Sequence, residues 1–136
     1  MRILAECKDA QKIGISGHIR PDGDCIGSCL ALYQYLKKCL SSDVEVTVYL
    51  EKPAPIFDKM AGFEYIVNDY PDVESMDVFF VLDCNLERLG DGAKYFDIAK
   101  KRINIDHHIS NTGCGNINYV IPTIGSTSEI IYDLIV

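Results

Sequence analysis

The 136-residue sequence lacks several features that would place it in a specialised class of protein. No stretch reaches the roughly 18 uninterrupted apolar residues that a membrane-spanning helix requires, so we expect no membrane association. The first residues, MRILAECKDAQK, carry charges where a secretory signal has an apolar core, and we expect a cytoplasmic protein. Repeats, low-complexity tracts and linkers are also missing. A hydrophobic content of 48% therefore predicts one globular domain with a substantial core.

The six cysteines form no CxxC pair, and they stand in a chain longer than a typical disulfide scaffold. We interpret them as reduced, mostly buried thiols, none of them placed to make a structural zinc site. Acidic residues outnumber basic ones, and the net charge of −7 argues against a broad grip on long DNA or RNA. A small anionic substrate is compatible with this charge, because bound cations would reverse the local field.

Short apolar runs alternate with amphipathic segments along the chain. Six segments are predicted as strands: 12–16, 45–50, 65–67, 78–83, 102–106 and 118–120. Four segments are predicted as helices: 26–40, 56–61, 89–100 and 127–136. This alternation predicts an α/β fold, namely a three-layer domain with a mainly parallel β-sheet flanked by helices.

The last predicted helix has a clear start signal. Ser126, with Glu129 three residues later, forms a capping box ahead of an apolar run. A helix N-terminus can also bind an anion, which would involve Ser126 and Thr127. Of these two roles, the structural cap is the one that we favour.

Three of the predicted strands lead directly into residues that can bind metals. His18, Asp22 and Asp24 follow the first strand. Asp83 ends the apolar run VFFVLD, and Asp106 ends RINID and is followed directly by His107 and His108. Because ligands bind outside the carboxyl ends of the strands in open α/β sheets, we expect the three clusters to converge at one edge.

A site of this composition favours divalent cations. Several carboxylates in one pocket repel one another unless cations bind between them, and the mixture with imidazole suits Mn²⁺, Fe²⁺, Co²⁺ or Zn²⁺. Two such ions about 3.5–4 Å apart would hold a bridging hydroxide and the oxygens of a phosphoryl group. The turn-forming sequence Pro21-Asp22-Gly23 allows neighbouring carboxylates to point in different directions.

Each cluster also has a structural interpretation when it is taken alone. The Asp22-Gly23 pair is compatible with a plain surface turn, and Asp83 with a cap for the next helix. The segment 106–108 is compatible with a polar loop. All three histidines of the chain nevertheless follow predicted strands within these clusters, and this coincidence favours a shared metal site.

The ordered set HIRPDGD, VLD and DHHISN resembles the DHH phosphoesterase superfamily, and within it the nanoRNase/pAp-phosphatase group. The resemblance covers the chain from the first strand through the STSE helix. It implies that His18 and Asp22 bind a first metal ion. By the same resemblance, Asp24 and His107 bind a second ion, and Asp83 bridges the two.

The resemblance also implies roles for residues around the metals. Asp106 would orient the neighbouring imidazole and raise its basicity. His108 would face the substrate phosphate and donate to its developing charge. Together with Asp83, these two would be the catalytic residues. Asn111 would shape the substrate pocket, although capping of its own loop is an equally good interpretation.

The same family carries a C-terminal DHHA1 domain that grips the nucleotide, and a further aspartate that completes its second metal site. The final helix reaches Val136 with no stop signal. We therefore expect residues 1–136 to be a DHH catalytic domain cut from a longer, homodimeric protein. The second metal site would then be incomplete, and the fragment alone weak or inactive.

The resemblance implies a metal-dependent phosphodiesterase or phosphatase. It would hydrolyse short oligoribonucleotides or 3′-phosphoadenosine 5′-phosphate by attack of a hydroxide bridging two Mn²⁺ ions, or other divalent cations. Its partners would be a small nucleotide or short RNA, and no long nucleic acid.

One alternative is a phosphodiesterase for cyclic dinucleotides or their linear products. Another is a metal-binding fragment without catalytic competence, and a regulatory module with a vestigial site ranks below both. RecJ-type exonucleases and pyrophosphatases also rank lower, the exonucleases because the acidic chain shows no basic track.

Overall fold

The computed structural model describes all 136 residues and contains a six-stranded sheet in which all neighbouring strands are parallel. The strands are β1 Lys12–Ser16, β2 Glu45–Tyr49, β3 Ile66–Val67, β4 Met76–Leu82, β5 Ala99–Asp106 and β6 Ile117–Val120. The helices are α1 Ile3–Glu6, α2 Gly23–Cys39, α3 Ala93–Ile98 and α4 Thr127–Ile135. The predicted α/β fold with a parallel sheet is confirmed. None of these helices has the length and apolar character needed to cross a membrane.

The order of the strands is β3-β2-β1-β4-β5-β6, so the direction in which the sheet grows reverses between β1 and β4. Such a reversal leaves a crevice at the carboxyl ends of the two central strands, where open α/β sheets bind their ligands. The strand order alone therefore predicts a ligand-binding site at the carboxyl ends of β1 and β4.

Strand β4 is buried on both faces and divides the apolar residues into two cores. Val78, Phe80 and Leu82 belong to the core that includes α2 and α4. Phe79 and Val81 point to the other core, which is rich in aromatic residues and includes α3. Burying a side chain of this size contributes about 1.5–3 kcal/mol. The three-layer packing therefore holds the end of β4 rigidly in place.

Helix α2 begins three residues before the predicted position 26. Asp22 is its N-cap, and its side-chain Oδ1 accepts a hydrogen bond from the backbone N–H of Cys25 at 3.0 Å. Capping by an aspartate satisfies one of the free N–H groups of the first turn. The turn predicted from Asp22-Gly23 is thus the start of the helix itself.

The segment 89–100 was predicted as one helix, and this prediction is wrong at both ends. Gly90 has a φ of 67°, and the chain there forms short 3₁₀ turns before α3 begins. At the other end, Arg102 donates from Nε to the carbonyl oxygen of Phe96 at 2.6 Å and from Nη2 to that of Asp97 at 2.9 Å. Because this side chain occupies the last carbonyls of α3, the helix stops and β5 starts three residues earlier than predicted.

Two smaller differences concern peripheral segments. The helix predicted over 56–61 is only a 3₁₀ turn, Pro55–Phe57, which begins at Pro55 after the extended residue Ala54. Helix α1 was not predicted, and it packs Ile3 into the core beneath α2. Strand β1 has its predicted bounds, and no boundary of another strand differs from its predicted position by more than three residues.

Candidate metal centre

The carboxyl ends of β1, β4 and β5 lie side by side where the strand order reverses. His18 follows β1, Asp83 follows β4 directly, and His107 follows β5 directly. Neighbouring strands place the ends of the chain segments about 4.8 Å apart, so these three side chains are brought together by the sheet alone. Asp22 and Asp24 join them from the first turn of α2.

The five residues form an alternating series of carboxylates and imidazoles. His18 Nε2 lies 3.5 Å from Asp22 Oδ1 and 3.3 Å from Asp83 Oδ2. His107 Nε2 lies 3.6 Å from Asp83 Oδ1 and 3.6 Å from Asp24 Oδ2. The two oxygens of Asp83 therefore face two different imidazoles, each of which has a second carboxylate beside it.

The backbone at Asp83 adopts a conformation that few residues tolerate. Its φ is 65°, in the left-handed region, which costs about 1–3 kcal/mol for a residue other than glycine. The backbone N–H donates to the carbonyl oxygen of Ile105 at 3.0 Å, and the Thr127 hydroxyl donates to Oδ1 at 2.9 Å. These bonds hold a strained residue at the point where β4 ends, which is the pattern seen at functional sites.

Burial and neighbouring charges shift the pKa values of His18 and Asp83, the two most buried residues of the series. His18 Nδ1 donates to the carbonyl oxygen of Ile19 at 2.7 Å, which leaves Nε2 facing the carboxylates. The hydrogen bond to Asp83 is the largest of the effects that raise the pKa of His18 to about 11. Burial, with the charge of Asp24 added, raises the pKa of Asp83. A proton on His18 thus supplies the positive charge that a bound cation would otherwise provide.

Helix α4 holds Asp24 from the opposite side. The backbone N–H groups of Thr127 and Ser128 donate to the two oxygens of Asp24 at 3.0 and 2.8 Å. Burial opposes ionisation, but these bonds and one to the Ser128 side chain outweigh it and lower the pKa of Asp24. Ser126 Oγ accepts from Glu129 N–H at 3.1 Å, so the predicted cap is confirmed. The N-terminus of α4 also binds an anion, and that anion is the carboxylate of Asp24.

The Asp106 carboxylate accepts its hydrogen bonds from residues of its own loop, and not from His18 or Asp83. Oδ1 accepts from the backbone N–H of His107 and from His108 Nδ1, both at 2.7 Å. Oδ2 accepts from Asn111 Nδ2 at 2.9 Å, and the carboxylate is almost completely buried. The imidazole that Asp106 orients through its side chain is therefore that of His108.

A small pocket of about 80 Å³ opens beside His108. Its polar lining comes from the end of β5 and from the loops after β4 and β5: Asn85, Arg88, Asp106, His108, Ser110 and Asn111. Arg88 was not singled out from the sequence, although an arginine five residues after Asp83 stands in the loop of a ligand-bearing strand. Its guanidinium carries a permanent positive charge, and Nη2 lies 3.4 Å from His18 Nδ1.

Asn111 serves the loop and the pocket at the same time. Its Oδ1 accepts from the backbone N–H of Gly113 at 2.7 Å, which is the loop cap considered above. Its Nδ2 donates to Asn104 Oδ1 as well as to Asp106, both at 2.9 Å. With its side chain committed to these partners, Asn111 acts on the pocket chiefly by holding Asp106.

The donor set at the centre fits divalent cations. Imidazole nitrogens and carboxylate oxygens suit Mn²⁺, Fe²⁺, Co²⁺ and Zn²⁺, and the positive charge would relieve repulsion among three close carboxylates. Two groups of candidate ligands have their donor atoms within 4.8 Å of one another. One contains Asp83, Asp106, His107 and His108, and the other contains His18, Cys25 and Asp83. Asp83 is common to both groups.

Comparison with known proteins identifies the family. Residues 12–136 match the family described as the DHH family, N-terminal domain. The chain belongs to the DHH family. The solved structure of an exopolyphosphatase-related protein from Bacteroides fragilis has the same fold, with a TM-score of 0.83 and 30% sequence identity. The similarity covers 98% of this chain and 41% of that one.

Curated DHH relatives are similar over nearly the whole chain. A bifunctional oligoribonuclease and PAP phosphatase NrnA of Thermus thermophilus is 31% identical over 150 residues, covering 99% of this chain and 40% of the relative. A probable bifunctional oligoribonuclease and PAP phosphatase NrnA of Streptococcus mutans is 32% identical over 132 residues, covering 96% of this chain and 40% of the relative. The chain thus spans about two fifths of the length of these relatives.

The raised pKa of His18 predicts a pH dependence of the metal-free protein. Because the folded-state pKa lies above the unfolded value near 6.5, His18 stabilises the fold fully below that pH and loses its contribution as the pH rises towards about 11. We expect the difference in free energy of unfolding between the wild type and His18→Gln, both in chelator, to shrink between about pH 7 and 8.5. Urea unfolding of the two proteins across this range measures that difference. Parallel pH curves for the two proteins would contradict the assignment.

Proposed function

We propose that this DHH protein is a metal-dependent phosphoesterase that hydrolyses short oligoribonucleotides and 3′-phosphoadenosine 5′-phosphate. The names of the similar proteins, bifunctional oligoribonuclease and PAP phosphatase, support this substrate class. The acidic net charge of −7 is compatible with a compact anionic substrate held at a cation site, and it disfavours long nucleic acids.

The observation that carries the proposal is the position of Asp83 between two sets of donors. His18 and Asp22 would hold one ion with Asp83 Oδ2, and His107 and Asp24 would hold a second with Asp83 Oδ1. We propose Mn²⁺ as the metal at these positions. When bound, a pair of such ions would lower the pKa of a water molecule and neutralise charge on a phosphoryl group.

The pocket beside His108 would hold the phosphate that is attacked. Arg88 offers a planar guanidinium, which matches a phosphate better than any other side chain does. Asp106 accepts from His108 Nδ1, so Nε2 is the ring nitrogen that would face a phosphate oxygen and carry a proton to it. Charge that develops on the phosphoryl group would thus meet the Arg88 guanidinium and this imidazole in a partly buried site.

The buried pair of Asp106 and Asn111 would fix the geometry of this step. Asp106 is held on both oxygens, which fixes the orientation of the His108 ring. Buried positioning partners of this kind commonly decide the efficiency of a catalytic imidazole. In this account Asp106 and Asn111 are positioning residues, and His108 and Arg88 contact the substrate.

Asp83→Asn tests the proposal most completely. We expect the 136-residue chain to release 5′-mononucleotide from a diribonucleotide, and adenosine monophosphate from 3′-phosphoadenosine 5′-phosphate, only slowly and only when Mn²⁺ is present. The substitution removes charge from both metal positions at once, so calorimetric Mn²⁺ binding and hydrolysis should both be lost. Asp43→Asn, on an exposed loop, is the matched control and should change neither.

Three other outcomes would redirect this proposal. Faster hydrolysis of a cyclic dinucleotide than of either substrate would favour the alternative phosphodiesterase. Mn²⁺ binding that depends on Asp83, without turnover of any of these nucleotides, would indicate a metal-binding fragment whose activity needs other parts of a longer protein. Tight Mn²⁺ binding that survives in Asp83→Asn would contradict the shared carboxylate.

His108→Ala separates substrate contact from metal binding. We expect the hydrolysis rate to fall by about 10²–10⁴-fold, the usual loss for a positioned proton donor, while Mn²⁺ affinity stays unchanged in calorimetry. His107→Ala is the matched comparison, and it should weaken Mn²⁺ binding directly. Equal losses of Mn²⁺ affinity in the two variants would make His108 a metal ligand instead.

A further inference from the structure

Cys25 occupies a position at the candidate metal centre to which neither the resemblance nor the proposed function gives a role. It is completely buried in the first turn of α2, directly after the ligand Asp24. Its Sγ lies within 4.8 Å of both a ring nitrogen of His18 and a carboxylate oxygen of Asp83. No carboxylate other than Asp83 and no other cysteine belongs to this group of donor atoms.

The surrounding backbone leaves room for this sulfur. A Cβ atom added to Gly17 would clash with Cys25 Sγ and would lie 3.1 Å from the carbonyl oxygen of Leu82. The sulfur therefore packs against a bare Cα between the ends of β1 and β4. Because Gly17 precedes His18 directly, the sulfur reaches the base of the crevice in which the ligands converge.

The start of α2 fixes Cys25 relative to a second ligand. The backbone N–H of Cys25 donates to Asp22 Oδ1 at 3.0 Å, and the same oxygen lies 3.5 Å from His18 Nε2. Asp22 approaches the position from the solvent side, since its side chain is 65% exposed, whereas Cys25 approaches from the interior. Asp22 and Cys25 therefore both adjoin His18, which Asp83 also contacts.

We propose that Cys25 is a fourth ligand of the first metal position, which gives that position one sulfur, one nitrogen and two oxygen donors. This inference rests on the proposed metal centre and adds a residue to it. Thiolate is a soft ligand, and four donors of this mixture favour Zn²⁺, Co²⁺ or Fe²⁺ over Mn²⁺. The second position, with only imidazole and carboxylate donors, keeps its preference for harder ions such as Mn²⁺. In this inference the Mn²⁺ proposed above remains the preferred ion of the second position, whereas at the first position Mn²⁺ binds more weakly than Zn²⁺, Co²⁺ or Fe²⁺.

Cobalt absorption spectroscopy tests the sulfur ligand directly. We expect one equivalent of Co²⁺, added to the reduced 136-residue chain, to give a thiolate-to-cobalt charge-transfer band in the near ultraviolet. In Cys25→Ala and Cys25→Ser that band should disappear, while the visible d–d bands still report bound Co²⁺. Cys29→Ala and Cys84→Ala are matched controls, since both remove buried thiols of the same region, and both should retain the band.

Zinc provides a second readout that does not require a variant to fold. X-ray absorption at the zinc edge of the wild-type chain should show one sulfur neighbour at about 2.3 Å.

Competition titrations should show that Cys25→Ala loses at least about tenfold in Zn²⁺ affinity, with a much smaller change in Mn²⁺ affinity.

The outcomes distinguish this inference from the proposed function. Bound Co²⁺ without a charge-transfer band, or Zn²⁺ with only nitrogen and oxygen neighbours, would overturn the Cys25 ligand and leave the metal centre standing. A charge-transfer band that is lost in Cys29→Ala but kept in Cys25→Ala would identify Cys29 as the sulfur ligand, and it would also overturn the Cys25 inference. A wild-type chain that binds neither Co²⁺ nor Zn²⁺ would overturn the metal centre and the Cys25 ligand together.

Discussion

The carboxylate of Asp83 is buried where the sheet changes direction, between two imidazoles that approach its two oxygens from opposite sides. A buried carboxylate is unfavourable unless it is paired and hydrogen-bonded, so this group constrains everything around it. His18 carries a raised pKa because of it, and Thr127 is held against it. The left-handed backbone at Asp83 shows that the fold tolerates local strain to keep this carboxylate in position.

The second constraint is that the site depends on elements distant in sequence. Helix α4 donates two backbone N–H groups to Asp24, which belongs to the first turn of α2 more than 100 residues earlier. Packing of α4 against α2 therefore shapes the site as well as the core. A substitution that shifts α4 would release Asp24 and Asp83 together, because Thr127 binds both.

The parts that could be predicted from the sequence are those that local patterns determine. Strand β1 has the predicted bounds, and β4 is recognisable because an apolar run such as VFFVL is typical of a strand buried on both faces. The three ligand-bearing clusters could be located because each follows such a strand. The rule that parallel strands present their carboxyl ends at one edge then suffices to bring them together.

The parts that could not be predicted depend on contacts between distant residues. The helix predicted over 89–100 ends early because Arg102 binds its last carbonyls from the next strand, and no local pattern contains that contact. Asp106 was expected to orient the neighbouring imidazole, but only the three-dimensional arrangement shows that its side chain contacts His108. The proximity of Cys25 to His18 and Asp83 likewise follows from the approach of α2 to β1 and β4.

The measurement that tests the central claim most directly is anomalous diffraction at the manganese edge from crystals of this chain grown with Mn²⁺. The account predicts anomalous density on both sides of the Asp83 carboxylate, one peak beside His18 and the other beside His107. Peaks elsewhere on the protein, with none in contact with Asp83, would contradict it.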